Sequence, residues 1–386
     1  MPFAGPLAVI LLLVALGYVG FVGALAWRVR HAAGDRPAAP DASLPRVAVV
    51  VAARDEEAHL PRCIDALRRQ QYPRDRIAVW IADDHSQDRT AAVVRHAGDA
   101  DGDAIPVHYL PVPDPEGGLR GKAQALHTAF EAIGRQPAPA DVVLITDADC
   151  APVPTWARRT AGRFSDPETG LVCGIARITP REGHAFDRVQ ALDWMLMLGA
   201  ASGLAESGFT ATGMGNNMAV RRETYDHVGG YPALPFSVTE DFTLVQAVAE
   251  RSPWRVRFPI DPAATVWTLP ADGLAAAYAQ RRRWARGGLS GGGWVVATYG
   301  LLFAVHALPV VGLGIAPAAA AAALALKTLG DVLFLTAVAA QAGARRPLRE
   351  VARDALGFEA FLYGYMVTLP FVLALRPRID WKGRRH

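Results

Sequence analysis

Three short acidic clusters hold the side chains most able to do chemistry. Asp83 and Asp84 close an apolar run at 77–82. Asp147-Ala148-Asp149 closes another at 141–146, and Thr239-Glu240-Asp241 opens a helical pattern at 242–249. A carboxylate just past the carboxyl end of a buried strand faces the crevice where α/β sheets bind ligands. There Asp83 and Asp84 can accept hydrogen bonds from a nucleoside N–H or a ribose hydroxyl. Asp147 and Asp149 offer hard oxygen ligands that suit Mg²⁺ or Mn²⁺, with phosphate oxygens completing the shell. Alternation along an extended segment puts both on one side. Asp241, in a cleft, can act as general base toward a hydroxyl. The segment Gln280-Arg-Arg-Arg-Trp284 adds guanidinium groups able to clamp a diphosphate and an indole face for a sugar or lipid. Each cluster also has a plainer reading. These are helix caps at 83–90 and 239–241, a solvated acidic turn at 147–149, and an interfacial basic cluster at 280–284.

The elements that must position these residues alternate in type. Strands are expected at 47–52, 77–82, 107–110 and 141–146, and helices at 56–70, 90–96 and 122–133. The strands are apolar runs rich in β-branched residues, as in buried parallel sheets. The first helix carries Leu60, Ile64 and Leu67 at helical spacing. Such alternation predicts an α/β domain with a parallel sheet and helices on both faces.

The 386 residues are 51% hydrophobic and 20% charged, with a mean hydropathy of +0.15. This composition excludes intrinsic disorder. Three cysteines, Cys63, Cys150 and Cys173, exclude a disulfide scaffold, and their spacing fits no zinc site. A net charge of +3 argues against a nucleic-acid binder.

The apolar residues gather at the two ends. Residues 6–27 carry no charge and are long enough to cross a bilayer. No basic residue precedes Arg28, so a signal peptide does not fit. Arg28, Arg30 and His31 come directly after the segment, which sets the N-terminus outside and the chain beyond it in the cytoplasm. Residues 287–326 are uncharged and too long for one span, so a hairpin is expected, turning around Pro309, Gly312, Gly314 and Pro317. Its second arm runs to 342 and carries Lys327 and Asp331, four apart and able to neutralise each other. Arg345, Arg346 and Arg349 mark a cytoplasmic return. The stretch 355–375 holds Glu359 and Pro370 and precedes a basic tail of Arg376, Arg378, Lys382, Arg384 and Arg385. A span there would put that tail outside, so a re-entrant or interfacial segment is expected.

Gly121-Lys122 is not a Walker motif, because residue 116 is Glu and Ala123 replaces Ser or Thr. No dinucleotide fingerprint follows a strand, and no Gly-x-Ser-x-Gly elbow is present. The order of the pieces is more specific than any one of them. Strand with Asp-Asp, Gly-Lys, Asp-x-Asp, Thr-Glu-Asp, Gln-x-x-Arg-Trp and membrane spans together resemble the membrane-anchored family 2 glycosyltransferases of GT-A fold. That branch includes cellulose synthase, hyaluronan synthase and ceramide glucosyltransferase.

The resemblance implies a metal-dependent, inverting transfer from a nucleotide-diphosphate sugar, with a UDP-sugar as donor and Mg²⁺ or Mn²⁺ as cofactor. Arg54, Glu56, Asp83, Asp84, Lys122 and Asp147 would bind the donor nucleotide, and Asp147 and Asp149 the metal. Asp241 would be the catalytic base. Glu240, Gln280, Arg283 and Trp284 would serve the acceptor and diphosphate. Gly215-Asn216-Asn217 and Arg221-Arg222 resemble the family's pocket-lining segment, and residues 381–384 the tail of lipid-modifying relatives. Asp55 stands where the family usually has Asn, and His127 where it has Asn.

The implied organisation is an anchor at 1–30, a linker at 31–45 and a cytoplasmic GT-A domain at 46–268. Beyond these lie an interfacial segment at 269–288, a hairpin at 289–342 and a terminal segment at 343–386. The expected acceptor is a lipid at the cytoplasmic face of a bacterial inner membrane. A processive polysaccharide synthase is the alternative, disfavoured by the small number of spans. A non-catalytic sugar-nucleotide-binding subunit and a transporter subunit built on Lys327 and Asp331 are weaker rivals.

Overall fold

The computed structural model describes residues 4–31, 41–99, 104–115, 118–289, 293–344, 348–375, 380–381 and 384–385. Most of the 31–45 linker lies outside the described residues, as do Arg345, Arg346, Arg376, Arg378 and Lys382. The chain forms two compact units. One comprises Ala33–Arg177 and Thr212–Leu269; the other comprises Met1–Ala32, Ile178–Ala211 and Pro270–His386.

In chain order, α1 (Ala4–His31) precedes β1 (Val47–Ala53), α2 (Leu60–Arg68), β2 (Ile77–Asp83) and α3 (Thr90–Gly98). Then come β3 (Val107–Pro111), α4 (Lys122–Gly134), β4 (Val142–Asp147), β5 (Ala151–Pro152) and α5 (Trp156–Ala161). After them are β6 (Thr169–Cys173), β7 (Ala176–Ile178), α6 (Ala185–Ala205), β8 (Met218–Arg221) and α7 (Arg222–His227). The chain continues through α8 (Glu240–Arg251), β9 (Arg255–Arg257), β10 (Val266–Thr268) and α9 (Gly273–Gly288). It ends with α10 (Gly293–Gly312), α11 (Pro317–Gln341), α12 (Leu348–Leu375), β11 (Asp380–Trp381) and β12 (Arg384–Arg385).

The first unit is built on a seven-stranded sheet of order β3-β2-β1-β4-β8-β6-β9. The strands β3, β2, β1 and β4 are mutually parallel, as expected. β8 runs antiparallel to both β4 and β6, so the sheet is mixed where a wholly parallel one is expected. β1 is Val-Ala-Val-Val-Val-Ala-Ala and almost wholly buried. That composition suits a central strand covered on both faces. Its core neighbours include Ile64 and Leu67 of α2, Val79 and Ile81 of β2, Leu144 of β4 and Trp156 of α5.

The helix expected over 56–70 begins only at Leu60. The amides of Glu56 and Glu57 bond instead to Thr90 Oγ1 and Asp88 Oδ2 of the next loop, which holds 56–59 as a turn. All three cysteines are buried and unbridged.

Asn217 ties the antiparallel half to the parallel half of this unit. Its Oδ1 accepts from Trp156 Nε1 at 2.9 Å, and its Nδ2 donates to the carbonyls of Ile175 and Ala264 at 2.7 and 3.0 Å. The side chain is fully buried.

The second unit is helical. Four of its helices are long and apolar enough to cross a membrane: Ala4–His31, Gly293–Gly312, Pro317–Gln341 and Arg349–Leu375. The expected hairpin turn falls at 313–316, between α10 and α11. Lys327 and Asp331 meet at 2.7 Å, as their spacing predicts. Of the two forms expected for 355–375, re-entrant or interfacial, the re-entrant one is not seen. A re-entrant segment must reverse within the stretch, whereas α12 runs unbroken for 28 residues through Pro370. Its Glu359 is no obstacle to an apolar helix, because Lys327 pairs with it at 2.6 Å.

Replacing Asn217 with Ala orphans one buried indole N–H and two carbonyls. At about 1–3 kcal/mol for a single buried orphan, the variant should lose at least about 2 kcal/mol of stability. Denaturant unfolding of the purified protein measures this, and a loss below half that value contradicts the bridging role.

Candidate active site

The parallel register brings two of the acidic clusters to one edge. Ala53 of β1 pairs with Asp83 of β2, and Ala52 pairs with Asp147 of β4, so the two carboxylates end the strands on either side of β1. They do different things there. Asp83 Oδ1 accepts from the Ser86 amide at 3.0 Å, and Oδ2 accepts from the Tyr109 hydroxyl at 2.9 Å. Both oxygens therefore shape the fold. Asp84 lies one residue further, with its own amide donating to Ala53 O. Its carboxylate is 3.7 Å from Arg54 Nη1 and 3.1 Å from His85 Nδ1.

The loops after β1 and β2 are laced to each other. Ser86 Oγ accepts from the Asp55 amide and Asp55 Oδ1 from the Gln87 amide, at 2.9 and 2.8 Å. Glu57 Oε2 accepts from the Arg89 amide at 2.8 Å. Asp55 and His85 take positive φ values of 53° and 62°. Asn and Asp tolerate this region better than most residues, so the family's usual Asn and this chain's Asp55 serve the same turn. Glu56 is held by His59 Nδ1 at 2.8 Å.

Lys122 joins the remaining clusters. Its Nζ donates to Asp147 Oδ1 at 2.5 Å and lies 3.3 Å from Glu240 Oε1. Gly121 precedes it with φ 62° and ψ −143°, a conformation that glycine adopts without strain. Burial pulls the ammonium's pKa down, but Asp147, Glu240 and Asp241 outweigh it and hold Lys122 above the ordinary lysine value. Glu240 also sits above its ordinary value. Burial is the main cause; Lys122 opposes it and Asp241 adds to it.

Asp149 departs from the expected geometry. β4 ends at Asp147, and residues 148–149 form a turn closed by Cys150 N–H to Asp147 O at 3.1 Å. The alternation argument for the two carboxylates therefore fails. Asp149 instead accepts from Cys150 Sγ at 3.3 Å and from Thr268 Oγ1 at 3.5 Å. Burial first, and Asp147 second, raise its carboxyl above the ordinary aspartate value. Like charges that disfavour each other in this way are what a divalent cation relieves. Hard oxygens one residue apart fit such a cation, and no third His, Cys, Asp or Glu joins them among the described residues. The other coordination positions would fall to phosphate and water.

Asp241 lies in the first turn of α8, where the helix dipole favours an anion. Its Oδ2 accepts from the Gly215 amide at 2.7 Å. A Cβ on Gly215 would lie 3.0 Å from that same oxygen, and one on Gly213 would lie 2.7 Å from the Phe242 amide. The two glycines let the chain approach Asp241 closely. Beside Glu240 opens a pocket of about 260 Å³, lined by apolar side chains that include Leu119, Tyr231, Leu234 and Phe236.

The neighbouring asparagines divide their roles. Asn217 is structural, as described above, while Asn216 Oδ1 is buried with no hydrogen-bond partner. Arg221 and Arg222 are not brought to the site. Arg221 donates to the carbonyls of Phe164, Asp166 and Thr169, and Arg222 to Asp226 and Phe130 O.

Gln280, Arg283 and Trp284 belong to α9, in the helical unit. Trp284 packs edge-on against Trp194 at 5.3 Å, with the Arg281 guanidinium 4.4 Å from its ring. Sequence reasoning passed over Arg281, the buried arginine of the run. It pairs with Asp193 of α6 through Nε at 2.7 Å, and Tyr365 of α12 donates to the same carboxylate at 2.7 Å. The signal available was an uncompensated Asp193 inside an otherwise apolar helix.

Carboxylates gathered around one lysine thus lie at the carboxyl edge of the sheet, the side on which α/β folds bind their ligands. The chain belongs to the family described as "Glycosyltransferase like family 2", which matches residues 45–287. It is 28% identical over 247 residues to the probable glycosyltransferase YdaM of Bacillus subtilis, covering 63% of this chain and 55% of that protein. It is 28% identical over 250 residues to beta-monoglucosyldiacylglycerol synthase of Synechocystis, covering 63% of this chain and 48% of that protein. The chain thus spans about half the length of the curated relatives it matches. Its fold resembles mannosyltransferase PcManGT from Pyrobaculum calidifontis in complex with GDP-Man and Mn²⁺. The TM-score is 0.59 at 24% identity, over 95% of this chain and 99% of that one.

Gly215→Ala forces the Asp241 carboxylate to move by several tenths of an ångström. Because small misplacements of reacting groups are costly, nucleotide release should fall by about tenfold or more while the melting temperature changes little. Wild-type turnover in this variant would show that the Gly215 approach does not position Asp241.

Proposed function

We propose that the chain transfers a sugar, with inversion, from a UDP-sugar to a hydroxyl of a lipid acceptor at the cytoplasmic face of a membrane. The observation that carries this reading is the run Asp147–Lys122–Glu240 with Asp241 beside it. In this reading Asp147 and Lys122 serve the diphosphate and Asp241, at the start of α8, accepts the proton.

In this reading Arg54 and Asp84 hold the nucleoside, since both oxygens of Asp83 are already engaged within the fold. Glu56 fixes the first loop through His59. Asp147 and Asp149 would hold Mg²⁺ or Mn²⁺, which supplies charge neutralisation to the departing diphosphate. Lys122 adds a fixed positive charge beside it, already oriented before the donor binds. Asp241 takes the proton from the acceptor hydroxyl as that oxygen attacks the anomeric carbon. The amide of Gly215 keeps its Oδ2 aimed, leaving the carboxylate's remaining lone pairs for the incoming proton. The apolar pocket beside Glu240 suits an acceptor with a lipid root.

Two further observations support the membrane setting. Four helices are long and apolar enough to span. Arg28, Arg30 and His31 end the first of them, which favours a cytoplasmic position for the chain beyond His31. The named activity of the Synechocystis relative supports a glycerolipid acceptor.

The test is nucleotide release by the purified full-length protein with Mn²⁺, using UDP- and GDP-sugars with and without diacylglycerol. Release that requires one UDP-sugar and the lipid is expected. Preference for a GDP-sugar would replace the donor assignment, and lipid-independent release with polymer accumulation would replace the acceptor. Asp241→Asn should lower turnover by about 10²–10⁴-fold with donor affinity retained. Retained turnover would remove Asp241 from the role of base.

The raised Asp149 carboxyl also predicts a pH effect. A proton held more tightly than on an ordinary aspartate competes with the cation. Apparent Mn²⁺ affinity should therefore weaken as pH falls toward that raised value, before ordinary aspartates titrate. A Mn²⁺ dependence that is flat until the ordinary aspartate range would contradict the assignment.

A further inference from the structure

The four long apolar helices share a buried polar cluster that glycosyl transfer does not use. α11 contributes Lys327 and Asp331, α12 contributes Glu359 and Tyr363, α1 contributes Tyr18, and α10 contributes His306. Lys327 is 1% exposed, Asp331 0%, His306 1% and Glu359 7%. Lys327 Nζ reaches Asp331 Oδ2 at 2.7 Å and Glu359 Oε2 at 2.6 Å, and Tyr18 donates to Asp331 Oδ1 at 2.5 Å. The ammonium also lies 4.7 Å from the centre of the Tyr363 ring, which packs against His306 at 4.9 Å.

Two observations point to a further proton. The first is charge. One ammonium faces two carboxylates, and an unbalanced charge among apolar helices is strongly unfavourable. The second is hydrogen bonding. His306 Nδ1 lies 2.6 Å from the carbonyl of Leu302, which can only accept, so Nδ1 carries the hydrogen and Nε2 of the neutral ring is a bare acceptor. Nε2, Glu359 Oε1 and Tyr363 OH are all buried and without a partner. Asp331 Oδ2 is buried and makes no hydrogen bond either, with the Lys327 ammonium 2.7 Å away as an ion-pair partner.

We propose that this cluster is an intramembrane proton site: at neutral pH it holds one proton beyond that of Lys327, carried on the Asp331–Glu359 carboxyl pair. That proton balances the charge of a cluster to which all four helices contribute. The other helices packed on α12 bring charges that are already paired elsewhere. Arg188 of α6 meets Asp354 at 3.2 Å, and Arg281 of α9 meets Asp193, where Tyr365 also donates.

The test is infrared spectroscopy of the full-length protein in lipid nanodiscs at neutral pH. The difference between wild type and Glu359→Gln should show the carbonyl band of a protonated carboxylic acid, shifting in D₂O and lost in the variant. Asp331→Asn removes one negative charge, so Glu359 should ionise against Lys327 and the same band should vanish there too. If Glu359→Gln fails to fold, the Asp331→Asn difference carries the test alone. A carboxylic-acid band that stays at full intensity in both variants, or is absent from wild type, overturns the proposal. So does an imidazolium signature for His306 at neutral pH.

Discussion

The carboxyl edge of the sheet depends on the Lys122 ammonium. It is a cation at the first position of a helix, where the dipole disfavours it, and it is largely buried, which disfavours it further. It persists because three carboxylates from separate parts of the chain surround it: Asp147 at a strand end, and Glu240 and Asp241 at the opening of α8. The dependence is mutual. Without the ammonium, those acids would crowd one another with no compensating charge. Gly121 is the local price of this arrangement, because the chain must turn through a left-handed conformation to aim Lys122 at the edge.

Around that charge cluster, the fold supplies rigidity by short-range means. The two loops that receive the nucleoside in our reading are stitched to each other by side chain-to-amide hydrogen bonds from Asp55, Ser86, Asp88 and Thr90. These are all acceptors aimed at backbone donors, so the loops are set before any ligand arrives. Asp241 is set in the same way by the Gly215 amide. Preorganisation of this kind lets fixed dipoles act on developing charge without rearranging.

Much of this was legible in the residues. β1, β2 and β4 are dense runs of Val, Ile and Ala, and their strand ends locate the acids without knowledge of the fold. The anchor at the start and the two arms of the hairpin were equally plain. What could not be read were pieces whose conformation is decided by distant partners. β6, β8 and β9 are short and gain their identity only by pairing with one another, so the antiparallel insertion was invisible. Asp149 was placed on the wrong kind of backbone, because one turn hydrogen bond after Asp147 ends the strand. In the basic run at 280–284, the family resemblance pointed to Arg283, but the buried position is Arg281, paired with Asp193, which Tyr365 also contacts. Charge pairing between helices likewise explains α12: Glu359 reads as an interruption until Lys327 is placed beside it.

Donor binding to a Lys122→Met variant tests the role of the ammonium most directly. Calorimetry with UDP and Mn²⁺ on the full-length protein would be compared with wild type, after circular dichroism has established that the variant is folded. Binding should weaken by about tenfold or more, since one charge-assisted contact to a diphosphate contributes about 1.5–3 kcal/mol. Unchanged affinity in a folded variant would contradict that role, and would mean that the ammonium serves only to hold the acids in place.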